Sequence, residues 1–398
     1  MVTSSYPKFP GDVTAPFIES IAEAVAERGH GVDVLLPHHP ELRRPPGRVR
    51  FFPYRYAPRD ALAVWGYASS LEADVRVKPL VYALLPLVAL ALRAELSRRL
   101  TAVRYDVVHA HWVVPNAALG FDIVRAHGVP LVISLHGSDV FLAERLWPAR
   151  VLARAAFAAA GAVSACSTEL AGRAERLGAD PSRTHVVPYG VDVAAFAPRA
   201  ADPALRARFA IPQDALLVVG VGRLVEKKGF RFLVEAAARV RGVHLLLVGD
   251  GDLRGGLEAE ARRLGAPVTF AGALEREEVQ CVLAAADVVA VPSVVDSAGN
   301  VDGLPNVLLE ALASGRPVVA SAVAGIPDVV ESGVNGVLVE PADPAALAAA
   351  IEALARDPET RVRLGRAARE RAARALGWER DANTFEGMYA EAAALDAR

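Results

Sequence analysis

The chain has 398 residues, of which 53% are hydrophobic and 23% charged, and its 44 basic and 46 acidic residues leave a formal net charge of −2. That length suits two domains, and the composition excludes a disordered chain. The near balance of charge leaves no global field for a phosphate backbone, so no nucleic-acid partner is expected and any anion site must be local. Cys166 and Cys281 lie far apart without metal-ligand spacing and read as small core residues of a reducing compartment. The opening "MVTSSYPKFPGD" lacks the charged and apolar regions of a secretory signal, so a cytoplasmic location is expected.

Short β-rich runs alternate with Ala-, Leu- and Arg-rich helical patterns throughout, which predicts an α/β fold of βα units around parallel sheets. Only residues 2–4 precede "SYP", a stub of a first strand, although residues 5–12 read as a loop leaving a strand. A helix over residues 15–28 comes next, then the strand "GVDVLLP". The apolar run at residues 79–92 contains Pro86 and, at 14 residues, is short of the roughly 20 needed to span a bilayer. It reads first as a core helix with a solvated basic end at Arg93, Arg98, Arg99 and Arg104. The second reading is peripheral contact with an anionic membrane, on its inner face. "YDVVHAH", "PLVISLHG" and "GAVSACS" complete the first series of strands.

Pro188, Gly190, Pro198 and Pro203 then interrupt regular structure as a linker does. Domains are therefore predicted at residues 1–188 and 189–377. A second series of strands comprises "ALLVVGVG", "VHLLLVGDG", "APVTFAG", "ADVVAVPS" and "RPVVAS". Two open parallel sheets each bind ligands beyond the carboxyl ends of their strands, so a cleft between the two is the expected active site.

Several residues at such strand ends carry chemistry. Arg223 and Lys228, in "VGRLVEKKGF", occupy a strand-to-helix loop, where cations beside a helix N-terminus suit an anionic ligand such as a diphosphate. Gly220-Val221-Gly222 lacks the third glycine of a dinucleotide fingerprint. Asp250-Gly251-Asp252 has the look of a metal-holding Asp-x-Asp, but its position after a strand favours helix capping. His136 ends the strand "PLVISL" and precedes Gly137, a placement suited to binding. His109 and His111 are expected to face opposite ways along their strand, which argues against a shared metal site.

In "VDGLPNVLLEALASGRPVV", Pro305 suits the first helical position, leaving the amides of Asn306, Val307 and Leu308 unpaired as an anion site. Asp302 sits just ahead of that end. Glu310, about one and a half turns on, could accept two hydrogen bonds from a vicinal diol such as ribose.

"DGLPNVLLEALASGRPVVAS", together with "GRLVEKKG", "LHGSDV" and "SSYPKFPGD", closely resembles the retaining, nucleotide-sugar-dependent glycosyltransferases of family 4. The likeness runs over nearly the whole chain in the same order, and its most specific element is a pair of acids with seven residues between them, here Asp302 and Glu310. It implies the GT-B fold, two Rossmann-like domains facing across a cleft. The first would bind the acceptor and the second the nucleotide-sugar donor, and a final helix, about residues 378–398, would return to the first. It further implies that Glu310 holds the nucleotide ribose and that Arg223 and Lys228 stabilise the leaving diphosphate. Asp302, Gly303, Leu304, Asn306 and Val307 would contact the donor sugar and phosphate, His136 the transferred sugar and acceptor, and Gly11, with Asp12, would cover the diphosphate. No metal or other cofactor is implied. The acceptor would be a hydroxyl, with cell-envelope polysaccharide or glycolipid as its setting, and would be chosen by loops at residues 43–67.

One departure stands out. The family's first acid is usually Glu, and Asp302 is shorter by a methylene. A displacement of about 1 Å in a positioned group costs roughly 100-fold in rate. Two other readings stay open: a sugar-nucleotide epimerase of the same fold, and a nucleotide-sugar binder whose catalysis is impaired.

Overall fold

The computed structural model describes residues 1–12, 14–45, 47–67 and 78–396. The chain divides into two compact units, Met1–Val187 with Trp378–Arg398, and Pro188–Gly377. The helix implied at the C-terminus runs over Trp378–Asp396 and packs on helix Pro16–Glu27 of the first unit; the last two residues of that implied span lie outside the described ones.

In the first unit β1 (Val32–Pro37) pairs with β2 (Val49–Tyr54), while β3 (Val108–His111), β4 (Leu131–Leu135), β5 (Ala162–Ala165) and β6 (Thr184–Val186) form a second ladder in that order, all parallel. The stub at Val2 joins the two. Its N–H donates to His109 O at 2.8 Å and its carbonyl accepts from His111 N at 2.9 Å. On the other side Thr3 N donates to Leu35 O at 3.0 Å and Leu35 N to Met1 O at 2.8 Å. Two or three residues thus suffice for a central strand, because both neighbours saturate their backbone groups. The strand β2 is not among those expected from sequence, and it contains Pro53. It forms the far edge of its ladder, where a missing N–H goes unnoticed.

In the second unit β7 (Leu216–Val221), β8 (Val243–Val248), β9 (Val268–Gly272), β10 (Val288–Val291), β11 (Val318–Ser321) and β12 (Val337–Val339) form one parallel sheet in the order β12-β11-β10-β7-β8-β9. β7, β8 and β10 are near-continuous buried apolar runs, as a sheet covered by helices on both faces requires. Leu233, Val234, Leu245, Leu247, Val288 and Val319 build this unit's core. Ile18, Val34, Leu36, Val132, Phe385 and Met388 build the first unit's core, so the returning helix supplies side chains that the first unit needs.

The apolar run at residues 79–92 belongs to a longer helix, Pro79–Ala102. Val81, Leu84, Val88, Leu92, Leu96 and Leu100 form a single buried stripe at spacings of three and four. The rest of its apolar surface is not buried: Tyr82, Leu85, Leu87 and Leu90 are exposed, contrary to the expectation of a core helix. Cys166 is buried, whereas Cys281 is only partly so.

Candidate active site

The strand order of the second unit reverses between β7 and β10, and an open α/β sheet binds ligands beyond the carboxyl ends of the strands at such a point. Two loops leave from there, residues 222–229 after β7 and residues 292–305 after β10. Gly229 holds them together: at φ 67°, a Cβ on it would lie 1.8 Å from Pro292 O, so only glycine allows this approach. Val294 N donates to Lys227 O at 2.9 Å, and Ser297 donates from N and Oγ to the Glu226 carboxylate at 2.9 and 2.8 Å.

This stitching brings charges from distant parts of the chain together. Lys228 Nζ lies 2.5 Å from Asp302 Oδ2, and Lys227 Nζ lies 3.4 Å from Asp302 Oδ1. Burial alone would push the Asp302 carboxyl up, but Lys228, Lys227 and Arg223 together hold it below its usual range. Arg223 itself is exposed, in the same loop. Gly303 O accepts from Gly325 N at 2.8 Å, and the Leu304 side chain is buried.

Helix Asn306–Ala313 starts one residue later than its sequence suggests, with Pro305 as its cap, not its first residue. Leu308 N accordingly donates to Pro305 O at 3.1 Å, and the expectation of an unpaired Leu308 amide is corrected. Asn306 and Val307 retain the first-turn position at which an N–H has no partner within its own helix. On the same helix Glu310 is pushed up to about 7 by burial, against the opposing pull of Arg276 and Lys228. Lys228 is therefore felt by both acids. Neither Lys227 nor Arg276 was singled out in the sequence. The doubled lysine of "EKKG" was a signal for the first, whereas Arg276 opens helix Arg276–Ala285 after β9, and only the fold brings its charge close enough for Glu310 to feel.

His136 and Gly11 belong to the first unit. His136 follows β4 and packs against Phe17 and Trp112, with ring centroids 4.8 and 4.9 Å away. Its Nε2 lies 3.2 Å from His111 Nδ1. His109 and His111, expected on opposite sides of their strand, lie side by side with ring centroids 4.3 Å apart and planes tilted by 31°. Residues two apart on a strand share a face, so the expectation was wrong in its periodicity. His109 also contacts Tyr389 OH at 2.9 Å and Ser134 Oγ at 2.7 Å. Burial drives all three histidines towards the neutral form, His136 down to about 3, so each acts as a neutral hydrogen-bonding ring at physiological pH.

Asp139 fixes the His136 loop. Its carboxylate is buried and accepts from Val113 N at 2.9 Å, His136 N at 3.2 Å and Gly137 N at 3.0 Å. Burial raises its pKa against the pull of these amides. Gly11, at φ 87°, lies in the exposed loop after Val2. Asp12 shapes that loop by accepting from Lys8 N at 2.9 Å and from Thr14 N and Oγ1 at 3.1 and 2.8 Å.

The Asp250-Gly251-Asp252 segment does not cap a helix: Leu253 precedes helix Arg254–Leu264, and Asp250 instead accepts from Gly251 N and pairs with Arg254 at 2.9 Å. Among the described residues no group of three or more His, Cys, Asp or Glu is arranged to hold a metal ion.

With this geometry in view, comparisons with known proteins converge. The family described as Glycosyltransferase Family 4 matches residues 15–195, and that described as Glycosyl transferases group 1 matches residues 215–357. A D-inositol 3-phosphate glycosyltransferase of Xylanimonas cellulosilytica is 38% identical over 322 residues, covering 76% of this chain and 75% of that protein. Sucrose-phosphate synthase of Thermosynechococcus elongatus is similar in structure with a TM-score of 0.77 at 25% identity, over 95% of this chain and 93% of that one. Anabaena HepE, solved in complex with UDP, shares the fold at a TM-score of 0.74 and 20% identity, over 98% of both chains.

Proposed function

Because this chain belongs to the group 1 and family 4 glycosyltransferases, of GT-B fold, we propose that it moves a sugar from a nucleoside diphosphate to a hydroxyl acceptor with retention at the anomeric carbon. The observation that carries this reading is the cluster in the second unit, where Arg223, Lys227, Lys228 and the start of helix Asn306–Ala313 gather positive potential beside Glu310.

In this reading Glu310 accepts hydrogen bonds from the ribose diol, and the diphosphate lies against Arg223, Lys228 and the amides of Asn306 and Val307. As the bond from C1 to the phosphate oxygen breaks, negative charge grows on the leaving diphosphate. Cations and amides already in place stabilise that charge more than they stabilise the ground state. The acceptor oxygen bonds to C1 on the same face, and its proton passes to the leaving phosphate oxygen. No protein nucleophile and no metal enter this scheme. Gly303 and Leu304, with Asp302, form the wall for the donor sugar in the second unit; in the first, His136 serves the acceptor as a neutral ring.

The name of the 38% identical relative supplies the acceptor class to try first, a polyol bearing a phosphate. Lipid-linked and polysaccharide hydroxyls form the second class. The test is a panel of UDP-, GDP- and ADP-sugars with each acceptor, the anomeric product being read by NMR. Arg223→Ala and Lys228→Ala should each lower kcat by about 10²–10³-fold on the accepted pair. Near-normal turnover in both variants would sink the assignment, and consumption of donor to an isomer without acceptor would replace transferase chemistry with epimerisation.

A further inference from the structure

Helix Pro79–Ala102 is long and apolar enough to cross a membrane by length and composition, yet only 28% of its apolar window is buried in the protein. Leu90 is 66% exposed and Tyr82 59%, with Leu85 and Leu87 beside them. A second helix of the same unit, Trp147–Ala159, does likewise: Trp147 is 74% exposed and Val151 56%, with Leu146 and Leu152 adjoining. Helix Ala118–Ala126 lies between them and packs against both. Exposed apolar side chains are ordinary when scattered, but clustered on two helices that flank a common third they mark a surface with a partner.

The charges on this face select the partner. Residues 79–94 and 145–168 contain no acidic residue; Arg93 is paired with Asp122 of the helix between them at 2.7 Å, whereas Arg145, Arg150 and Arg154 are exposed, in a chain whose formal net charge is −2. A second copy related by a two-fold axis would set arginine against arginine. Exposed Trp and Tyr among leucines and arginines is instead the side-chain set that lies at the boundary between lipid headgroups and acyl chains. The buried stripe from Val81 to Leu100 is covered by the protein, so this helix offers one exposed side and not its whole circumference.

We propose that the face formed by helices Pro79–Ala102 and Trp147–Ala159 docks on the surface of a bilayer carrying anionic lipids. This inference is independent of the donor chemistry proposed above. The test is co-sedimentation of the full chain with vesicles of phosphatidylcholine alone and of phosphatidylcholine mixed with phosphatidylglycerol. Binding should require phosphatidylglycerol and weaken as salt is raised. Arg150→Gln and Arg154→Gln should each lower the partition coefficient about fivefold, and Trp147→Ser with Leu90→Ser should abolish sedimentation. Circular dichroism should show the variants folded as the parent is, and turnover with a soluble acceptor should be unchanged. Equal binding to both vesicles, no binding to either, or a dimer in solution that the Trp147 and Leu90 substitutions dissociate would overturn the proposal.

Discussion

Lys228 Nζ stands 2.5 Å from Asp302 Oδ2, joining the loop after β7 to the loop after β10 across the point where the sheet order reverses. Asp302 is thereby tied to the two lysines of the loop that also carries Arg223.

That pairing sets a pH dependence. The folded Asp302 carboxyl lies below its usual range, so its contribution to stability is present above the unfolded value of about 3.9 and disappears as pH falls through the folded value. Asp302→Asn should therefore match the parent in strong acid, fall behind it as pH rises from the folded value to about 4, and stay behind by a constant margin above that, in urea midpoints measured at a series of pH values that reaches into strong acid. A gap that stays constant across that series would show that the lysines do not hold the charge.

Glu310 behaves in the opposite sense. Its folded value is raised to about 7, so between the ordinary carboxylate range and about 7 the folded state holds a proton that the unfolded state has lost, and stability declines as pH rises through that window. Binding should move the other way: the ionised carboxylate accepts better from a diol, so donor KM should fall as pH rises through about 7. Glu310→Gln should raise donor KM and flatten its pH profile, while kcat changes less.

Asp139 answers three backbone amides of the first unit, those of Val113, His136 and Gly137. Asp139→Ala leaves them buried and unpaired, at about 1–3 kcal/mol for each that water does not reach. A loss of about 3 kcal/mol or more is expected in urea unfolding. His136 should also lose its position, visible as weakened transfer even in the fraction that remains folded.

Gly229→Ala tests the stitching of the two loops. The left-handed backbone alone costs about 1–2 kcal/mol for a residue with a Cβ. Moving Pro292 O out of a 1.8 Å clash adds to that. Because Lys227 and Lys228 precede this residue, kcat should drop along with the melting temperature. A variant that melted early but turned over normally would separate the loop from the chemistry.

Much of this was legible in the chain itself. The βα alternation, the Arg223 and Lys228 loop and the segment from Asp302 to Glu310 are local patterns, set by side-chain periodicity and by turn and cap chemistry among near neighbours. They suffice for the α/β class, the family and the residues most worth testing. Local pattern was also where reading failed: His109 and His111 were assigned opposite faces, although a spacing of two puts them on one.

Tertiary structure alone decided the rest. No sequence window shows that Val2 is a central strand, that Pro53 is tolerable at an edge, that Lys227 and Lys228 reach Asp302, or that Glu310 feels the charge of Arg276. Nor does the apolar pattern of residues 79–92 tell a core helix from one whose greater part stays uncovered. The physical reason is the same in each case. Backbone saturation, burial and the field at a carboxylate depend on which distant segments are brought near, and strand order, not neighbouring sequence, determines that.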